Sequence, residues 1–293
     1  MEVINDMRTL YIIGNGFDLW HGLPTSYRQF YEFAKETLDE LEEHYLFDPN
    51  IDVPWYDFEN ALGTFDADGF FDLYNEIDVQ AEDFRPSFLY GLEDELAQET
   101  ERHVAIIRDA FIEWVHQIDE SQATKKMQLN ENSIFINFNY TSILQVVYGI
   151  EDKNILHIHG CANKHHDLIF GHGKDIVSIP DVDENGDSNR TMFSDAESAA
   201  AHPLHAFKKP VGEILEKRND YFNSLNNVTT IIVIGHSLNE IDLPYFRRIV
   251  DSAKDALWKV SYYSDNEKET HIKALMNCGV SQEKIVLCPY EKL

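Results

Sequence analysis

The chain has few cysteines and no long apolar segment. Its three cysteines, Cys161, Cys278 and Cys288, form no C-x-x-C pair, which excludes a four-cysteine zinc module and favours a reducing compartment. No apolar run approaches the roughly 18 to 20 residues that cross a bilayer, so we expect no membrane span. Residues 1–7 include two acids and no apolar stretch. We therefore expect no secretory signal and a cytoplasmic location.

Positive charge is also scarce, because 24 lysines and arginines stand against 52 acidic residues, for a net charge of −28. Non-specific binding of DNA or RNA needs many basic side chains facing phosphates, so we do not expect nucleic acid as a partner. The acids are concentrated between Thr37 and Glu101, where Arg85 is the only lysine or arginine. This pattern is typical of a solvated helical face, and the alternative is a docking surface for a basic partner.

Strand and helix patterns alternate along the chain. Short apolar runs predict strands at Thr9–Ile13, Ser133–Asn137, Ile155–His159, Asp167–Gly171, Thr229–Gly235, Leu257–Tyr263 and Lys284–Cys288. Helical periodicity predicts helices at Tyr27–Tyr45, Phe88–Ile118, Ala200–Phe222, Leu243–Ala253 and Glu267–Asn277. The alternation predicts an α/β fold with a Rossmann-like, mostly parallel sheet and helices on both faces.

Residues 48–119 interrupt this alternation, because they contain helical patterns and no convincing strand. We therefore expect a single α/β domain over residues 1–293, with residues 48–119 as an inserted helical subdomain or lid. Residues 174–190 are rich in polar residues and are predicted to form a loop.

Glycines follow the first predicted strand, in Gly14-Asn15-Gly16. Glycine at this place lets the backbone approach a phosphate and leaves N–H groups facing it, so the turn is a candidate nucleotide site. Leu19 replaces the third glycine of G-x-G-x-x-G, which argues against a hydride-transferring dinucleotide site. The alternative is a tight structural turn between a strand and a helix.

Asparagines end the second predicted strand. Asn137, Asn139 and Thr141 share one direction if the backbone stays extended, so they can converge on ribose hydroxyls or a water molecule. The alternative is that they cap the helix that follows.

Histidines end the third predicted strand. His157 or His159 can act as a general base at a strand end, and the alternative is a buried core histidine. A metal site would add His165, His166 or His172 as ligands. Because no H-E-x-x-H motif or cysteine set accompanies them, no metal is expected.

A glycine also ends the strand predicted at Thr229–Gly235. Ser237 can bind a phosphate or cap the next helix, in whose first turn Asn239, Glu240 and Asp242 lie. The sequence Gly235-His236-Ser237 lacks the G-x-S-x-G elbow of serine hydrolases, so we do not expect Ser237 to be a nucleophile.

Five motifs together resemble the AbiH family of phage abortive-infection proteins. They are I-I-G-N-G-F-D-L-x-H-G-L-x-T-S-Y at residues 12–27, W-x-x-F-E at 55–59, N-x-N-Y-T at 137–141, H-I-H-G at 157–160 and V-I-G-H-S-L-N-E-x-D at 233–242. The resemblance extends to the aromatic strand around residues 261–264. It implies a role in anti-phage defence.

The order and spacing of these motifs are also similar to the sirtuin-like NAD-binding fold. Gly14-Asn15-Gly16 resembles the G-A-G motif of that fold, and residues 22–28 resemble its G-I-P-x-F-R motif. Asn139 matches the asparagine of T-x-N-x-D, and His159 matches the histidine of H-G. Gly235 and Ser237 match the glycine and serine of G-x-S. Two features depart from this pattern, since Thr141 replaces the aspartate and the zinc ribbon of protein-deacylating sirtuins is absent. The resemblance therefore implies a defence NADase and not a peptide deacylase.

An NADase of this kind would hydrolyse the nicotinamide–ribose bond of NAD. Asn139 would orient the ribose or the water, and His159 would accept a proton. The expected nucleotide contacts are Gly14, Asn15, Gly16, Asp18, Arg28, Asn137, Gly235 and Ser237. The alternative is a module that senses NAD or ADP-ribose without turnover and acts through a partner or an assembly. A second copy of the chain and a phage-derived trigger are the further partners to expect.

Overall fold

The computed structural model describes residues 8–164, 167–177 and 180–292. The chain divides into two compact units. The first, here called the sheet unit, comprises Met1–Ser26, Val115–Ile169 and Pro210–Leu293. The second, here called the helical unit, comprises Tyr27–Trp114 and Phe170–Lys209.

Among the described residues, six parallel strands form one sheet in the sheet unit. They are β1 (Arg8–Ile13), β2 (Ile134–Asn137), β3 (Ile155–His157), β4 (Val228–Ile234), β5 (Leu257–Tyr262) and β6 (Ile285–Pro289). Their order is β3-β2-β1-β4-β5-β6, the order of a Rossmann sheet. The predicted α/β class is therefore confirmed, and the strand order reverses direction between β1 and β4.

Helices occupy the intervals between the strands. The α-helices are α1 (Asn15–Trp20), α2 (Tyr27–Phe33), α3 (Lys35–Leu41), α4 (Phe58–Leu62), α5 (Ala67–Tyr74), α6 (Ser87–His116), α7 (Ile143–Val146), α8 (Ser194–Ala200), α9 (His202–Ala206), α10 (Val211–Lys217), α11 (Asn219–Asn223), α12 (Leu243–Ser252) and α13 (Asp265–Asn277). Single 3-10 turns lie at Glu42–His44, Pro54–Asp57, Glu120–Gln122, Asp152–Asn154, Ala162–Lys164, Ser224–Asn227, Gln282–Lys284 and Tyr290–Lys292. None of the described helices combines the length and apolarity needed to cross a membrane.

The core of the sheet unit forms because the central strands are apolar along their length. Ile12 of β1 aligns with Ile136 of β2 on one side and with Val233 of β4 on the other. All three are fully buried, and they pack in one cluster with Phe246 of α12 and Leu275 of α13. Burying side chains of this size stabilises the fold by about 1.5–3 kcal/mol each.

The helical unit has an aromatic core. Phe58 stacks on Phe111 at 5.5 Å between ring centroids, and Phe30 packs edge-on against both. Beside them the ammonium of Lys209 lies 2.8 Å from the carboxylate of Glu59, and both side chains are buried. Residues 48–119 contain helices and no strand, as predicted. Their role as a lid stays a prediction.

The strand predicted at Asp167–Gly171 is wrong. Leu168 and Phe170 are buried in alternation, as the pattern indicated, but this segment does not pair with the sheet. Ile169 N–H donates to the carbonyl of His159 at 2.9 Å, and the Ile169 carbonyl accepts from the hydroxyl of Tyr140 at 3.0 Å. The apolar alternation therefore reflects side-chain burial and not strand pairing.

Two predicted helices are divided in the structure. The segment Ala200–Phe222 forms α9, α10 and α11. Pro203 lies in the first turn of α9 and Pro210 is the N-cap of α10, and neither proline can continue the helix before it. The division between α10 and α11 is at Arg218, whose ψ of 14° is not helical. The segment Tyr27–Tyr45 is divided at Ala34, whose ψ of 19° is not helical, into α2 and α3.

Candidate functional site

The predicted site residues of the sheet unit lie at the carboxyl ends of β1, β2, β3 and β4. Because these strands are parallel, their carboxyl ends meet at one edge of the sheet. In open α/β sheets, ligands bind at this edge, where the strand order reverses. Here that position is the pair of turns that follow β1 and β4.

Glycines let these two turns contact each other directly. Gly14 N–H donates to the carbonyl of Ile234 at 2.9 Å, and Gly16 N–H donates to the carbonyl of Gly235 at 2.8 Å. A Cβ on Gly14 would lie 2.5 Å from His236 Cα, and one on Gly235 would lie 2.2 Å from Phe17 N. The glycines are therefore required for backbone packing, which is the structural alternative for this turn.

The backbone N–H groups of both glycines are thus hydrogen-bonded within the protein. Asn15 is the exposed member of the turn, and its side chain donates to the carbonyl of Thr25 at 2.7 Å. Phosphate binding by Gly14, Asn15 and Gly16 stays a prediction, and it requires groups other than the two glycine N–H groups.

The side chain of Tyr290 covers the same two turns. Its hydroxyl would lie 2.7 Å from a Cβ built on Gly16 and 2.7 Å from one built on Gly235. The Tyr290 ring packs edge-on against Trp20 at 5.3 Å, and its hydroxyl is hydrogen-bonded to Ser261. Sequence reasoning missed Tyr290, although its position directly after the last predicted strand places it at this edge.

Asp18 lies at the centre of a first polar cluster. Asn139 Nδ2 donates to Asp18 Oδ1 at 2.7 Å, and Thr141 Oγ1 donates to Asp18 Oδ2 at 2.6 Å. The Asp18 side chain is fully buried. This burial raises the pKa of Asp18 to about 7, with a smaller contribution from the nearby charge of Glu120 and against the effect of the two hydrogen bonds.

The Asp18 cluster fixes the orientation of Asn139. The two protons of its Nδ2 are directed to Asp18 and to the carbonyl of Gly14, which lies 3.1 Å away. Only Oδ1 of the Asn139 amide can therefore accept a hydrogen bond from a ligand. Asp18, expected at the nucleotide, is instead fully buried, and its two carboxylate oxygens are hydrogen-bonded to Asn139 and Thr141.

Asn137 stabilises the loop after β2. Its Oδ1 accepts from the backbone N–H of Asn139 at 3.1 Å, and its Nδ2 donates to the carbonyl of Thr141 at 3.3 Å. His157 Nδ1 lies 3.4 Å from the same Nδ2, and His157 Nε2 lies 2.9 Å from Gln145 Nε2. Asn137 therefore stabilises the loop before α7 without capping that helix, whose N-cap is Ser142, and the contacts of His157 favour the core alternative.

His159 belongs to a second polar cluster, which is buried. Its Nε2 lies 3.7 Å from Asp242 Oδ1, and His236 Nε2 lies 3.5 Å from Asp242 Oδ2. The ring of Phe138 packs edge-on against both imidazoles, at 5.3 Å and 4.4 Å between centroids. Sequence reasoning placed Asp242 in a helix turn and missed its place between two histidines.

The two clusters are adjacent at Gly14. Its carbonyl accepts from Asn139, while its Cα side faces His236. Asn139 and His159 thus lie at the same edge of the sheet, in clusters linked through Gly14, His236 and Asp242. Their action as a catalytic pair stays a prediction, and Asp242 and His236 are the residues that the structure adds to the candidate site.

The other predicted contacts have separate surroundings. Gly235 N–H donates to Ser261 Oγ at 3.1 Å, and Ser237 is exposed beside it. Arg28 belongs to the helical unit, where its guanidinium lies 5.4 Å from the centroid of the Tyr56 ring. The nucleotide-binding roles of Ser237 and Arg28 stay predictions.

The metal alternative rested on several histidines. His165 and His166 lie outside the described residues, and His172 Nε2 lies 2.9 Å from the carbonyl of Leu204 in the helical unit. Within the described ranges, no group of three or more histidine, cysteine or acidic side chains could hold a metal ion.

Comparison with known proteins bears on the family of this chain. No curated protein and no solved structure is significantly similar to it. The family model described as bacteriophage abortive infection AbiH matches residues 10–262. This range begins in β1, ends with β5 and contains both polar clusters. The chain therefore belongs to the AbiH family of bacteriophage abortive-infection proteins.

Proposed function

We propose that this chain is a phage-defence effector that binds NAD at the carboxyl edge of its sheet and hydrolyses the nicotinamide–ribose bond. The observation that carries the proposal is a chain of contacts at this edge: Asn139 donates to the carbonyl of Gly14, and Gly14 packs against His236. His236 in turn faces Asp242, whose other oxygen faces His159. Asn139 and His159 both lie at the edge where a Rossmann sheet binds nucleotides. Membership of the AbiH family supports the defence role.

The reaction needs little covalent chemistry from the protein. The bond between ribose C1′ and the nicotinamide nitrogen breaks, nicotinamide leaves as a neutral molecule, and water adds to C1′ to give ADP-ribose. Asn139 Oδ1 accepts a hydrogen bond from a ribose hydroxyl or from the water, and His159 takes the proton that the water loses. Holding these groups in a site closed to bulk water accounts for much of the rate.

Burial of the site suits an effector that is inactive before infection. Asn139 and His159 are 5% and 2% exposed, and Tyr290 covers Gly16 and Gly235. NAD would reach these groups only after the turn and Tyr290 separate. A phage-derived trigger or assembly with a second copy of the chain would supply that opening.

One observation favours a second function, a nucleotide sensor without turnover. The hydroxyl of Thr141 is committed to Asp18, so this side of Asn139 offers a substrate neither the carboxylate of T-x-N-x-D nor a hydroxyl donor. Such a site would bind NAD or ADP-ribose and act through a partner.

Turnover and binding separate the two functions. Release of nicotinamide from NAD and the affinity for NAD are measured on the wild type, Asn139→Ala and His159→Ala, at rest and with phage lysate. The enzyme requires release by the wild type and at least about 100-fold less by both variants, which still bind NAD. Binding without release in every state supports the sensor. Absence of binding in every state contradicts both functions.

A further inference from the structure

The turn after β4 holds its backbone in a strained conformation. Leu238 has a φ of 55° and is the only non-glycine with a positive φ among the described residues. A left-handed conformation is unfavourable for a residue with a side chain, because its Cβ comes too close to the following carbonyl oxygen. Strain of this kind persists where surrounding contacts impose it, which happens most often at functional sites.

This conformation directs the N–H of Leu238 onto His236. The Leu238 N–H donates to His236 Nδ1 at 2.9 Å. Because Nδ1 accepts, it carries no proton, and the proton of the neutral ring is on Nε2. That nitrogen lies 3.5 Å from Asp242 Oδ2. The turn therefore fixes both the tautomer of His236 and its direction, and His236 holds one oxygen of Asp242.

The other oxygen of Asp242 faces His159. The distance from Asp242 Oδ1 to His159 Nε2 is 3.7 Å, and the two side chains are 12% and 3% exposed. Asp242 also precedes α12, whose N-terminus stabilises a negative charge. A carboxylate removed from water needs such partners, and here two imidazoles and a helix supply them.

We propose that Asp242 is a positioning residue for His159. With one oxygen directed at His236, its negative charge favours the proton of His159 on Nε2 and so makes Nδ1 the atom that accepts a proton. This preference rests on the ion-pair distances to the two imidazoles, whereas the use of Nδ1 in catalysis rests on the proposed NAD hydrolysis.

A purely structural role is the competing explanation, in which the carboxylate only ties α12 to the turn. Asp242→Asn distinguishes the two, because it keeps the shape and removes one acceptor. In the variant, His236 still carries a proton on Nε2, so it donates to the amide oxygen of the new asparagine. The NH₂ group of that asparagine then faces His159 Nε2, and that nitrogen must accept a hydrogen bond from it. The variant is thus expected to move the proton of His159 to Nδ1.

The tautomer is read directly from long-range ¹H–¹⁵N NMR spectra of the histidine rings, with His159 assigned by its loss in His159→Gln. We expect Nε2–H in the wild type and Nδ1–H in Asp242→Asn. Glu240→Gln is the matched control, since it makes the same change on an exposed side chain of the same segment and should resemble the wild type.

Hydrolysis of NAD supplies the second readout. We expect kcat to fall about 10²–10⁴-fold in Asp242→Asn, the range of general-base catalysis, with KM changed little. If His159 of the wild type carries its proton on Nδ1, the inference is overturned even if the variant does not fold. The same tautomer of His159 in the wild type and in Asp242→Asn also overturns it. Expected tautomers in a wild type that hydrolyses no NAD, either at rest or with phage lysate, would contradict the proposed enzyme and leave the role of Asp242 standing.

Discussion

Among the residues of the candidate site, Asp18 is one whose protonation is changed strongly by its surroundings. Its carboxyl is fully buried, and its hydrogen bonds come from Asn139 and Thr141. Burial raises its pKa from 3.8 to about 7, so the proton is shared between Asp18 and water near neutral pH. The side chain of Asn139, which we propose to contact the ribose, is therefore hydrogen-bonded to a carboxyl group that titrates in the physiological range.

The raised pKa predicts a dependence of stability on pH. Between pH 4 and 7 the folded state binds the Asp18 proton and the unfolded state does not, so the free energy of unfolding falls as pH rises. The loss attributable to this group is roughly 3–5 kcal/mol, complete above pH 7. In urea unfolding, the free energy of unfolding of Asp18→Asn should lack this decrease with pH. Asp251→Asn, which changes an exposed side chain, should keep it. Parallel curves for the wild type and Asp18→Asn would contradict the assignment.

Thr141 gives a prediction that does not depend on pH titration. Thr141→Val keeps the shape and leaves Asp18 Oδ2 without its 2.6 Å hydrogen bond, so we expect a loss of about 1–3 kcal/mol in the free energy of unfolding at pH 8. Thr141→Ser keeps the hydroxyl and should lose less. A smaller loss in Thr141→Val than in Thr141→Ser would mean that packing of the methyl group, and not the hydrogen bond, matters.

Among the elements, the turns after β1 and β4 are the pair that forms the site. Gly235 has a φ of 71°, and Gly22 has a φ of 85° with nothing near its missing side chain. Gly22→Ala thus measures the cost of the backbone conformation alone, about 1–2 kcal/mol. Gly235→Ala adds a clash with Phe17 N at 2.2 Å and should cost clearly more in urea unfolding. Similar costs would show that the two turns are not rigidly packed.

The 3-10 turn that carries Tyr290 gives a prediction about access. Tyr290→Ala removes the hydroxyl that covers Gly16 and Gly235, so under the proposed function it should bind NAD about 10-fold or more tightly by calorimetry. Tyr263→Ala is the control, because Tyr263 is 87% exposed. Weaker or unchanged binding by Tyr290→Ala would mean that the tyrosine does not restrict the site.

Local patterns predicted the elements better than their contacts. Six strands lie within about two residues of the predicted ends because buried apolar runs are local signals. Leu168 and Phe170 show the limit, since a side chain can be buried without its backbone joining a sheet. His159 and Asp242 form an ion-pair contact although they are 83 positions apart in the chain, and no local sequence pattern predicts this contact.

For the whole molecule, the strand order explains why separate motifs meet. Parallel strands in the order β3-β2-β1-β4 bring Asn139, His159 and the two glycine turns to one edge, although up to 221 positions separate them in the chain. The net charge of −28 leaves few basic side chains to bind phosphates. We therefore propose that amides and hydroxyls of the sheet unit bind the nucleotide. The acidic residues 37–101 remain a predicted solvated helical face, with a docking surface for a basic partner as the alternative.

Binding of NAD at this edge is the central claim, and amide NMR spectra of the isotope-labelled protein titrated with NAD test it most directly. We expect saturable shifts centred on Asn15, Gly16, Gly235 and Ser237, extending to Asn139 and His159, and reduced in Asn139→Ala. Saturable shifts confined to other parts of the sheet unit or to the helical unit, or none in the Tyr290→Ala protein as well, would contradict the account.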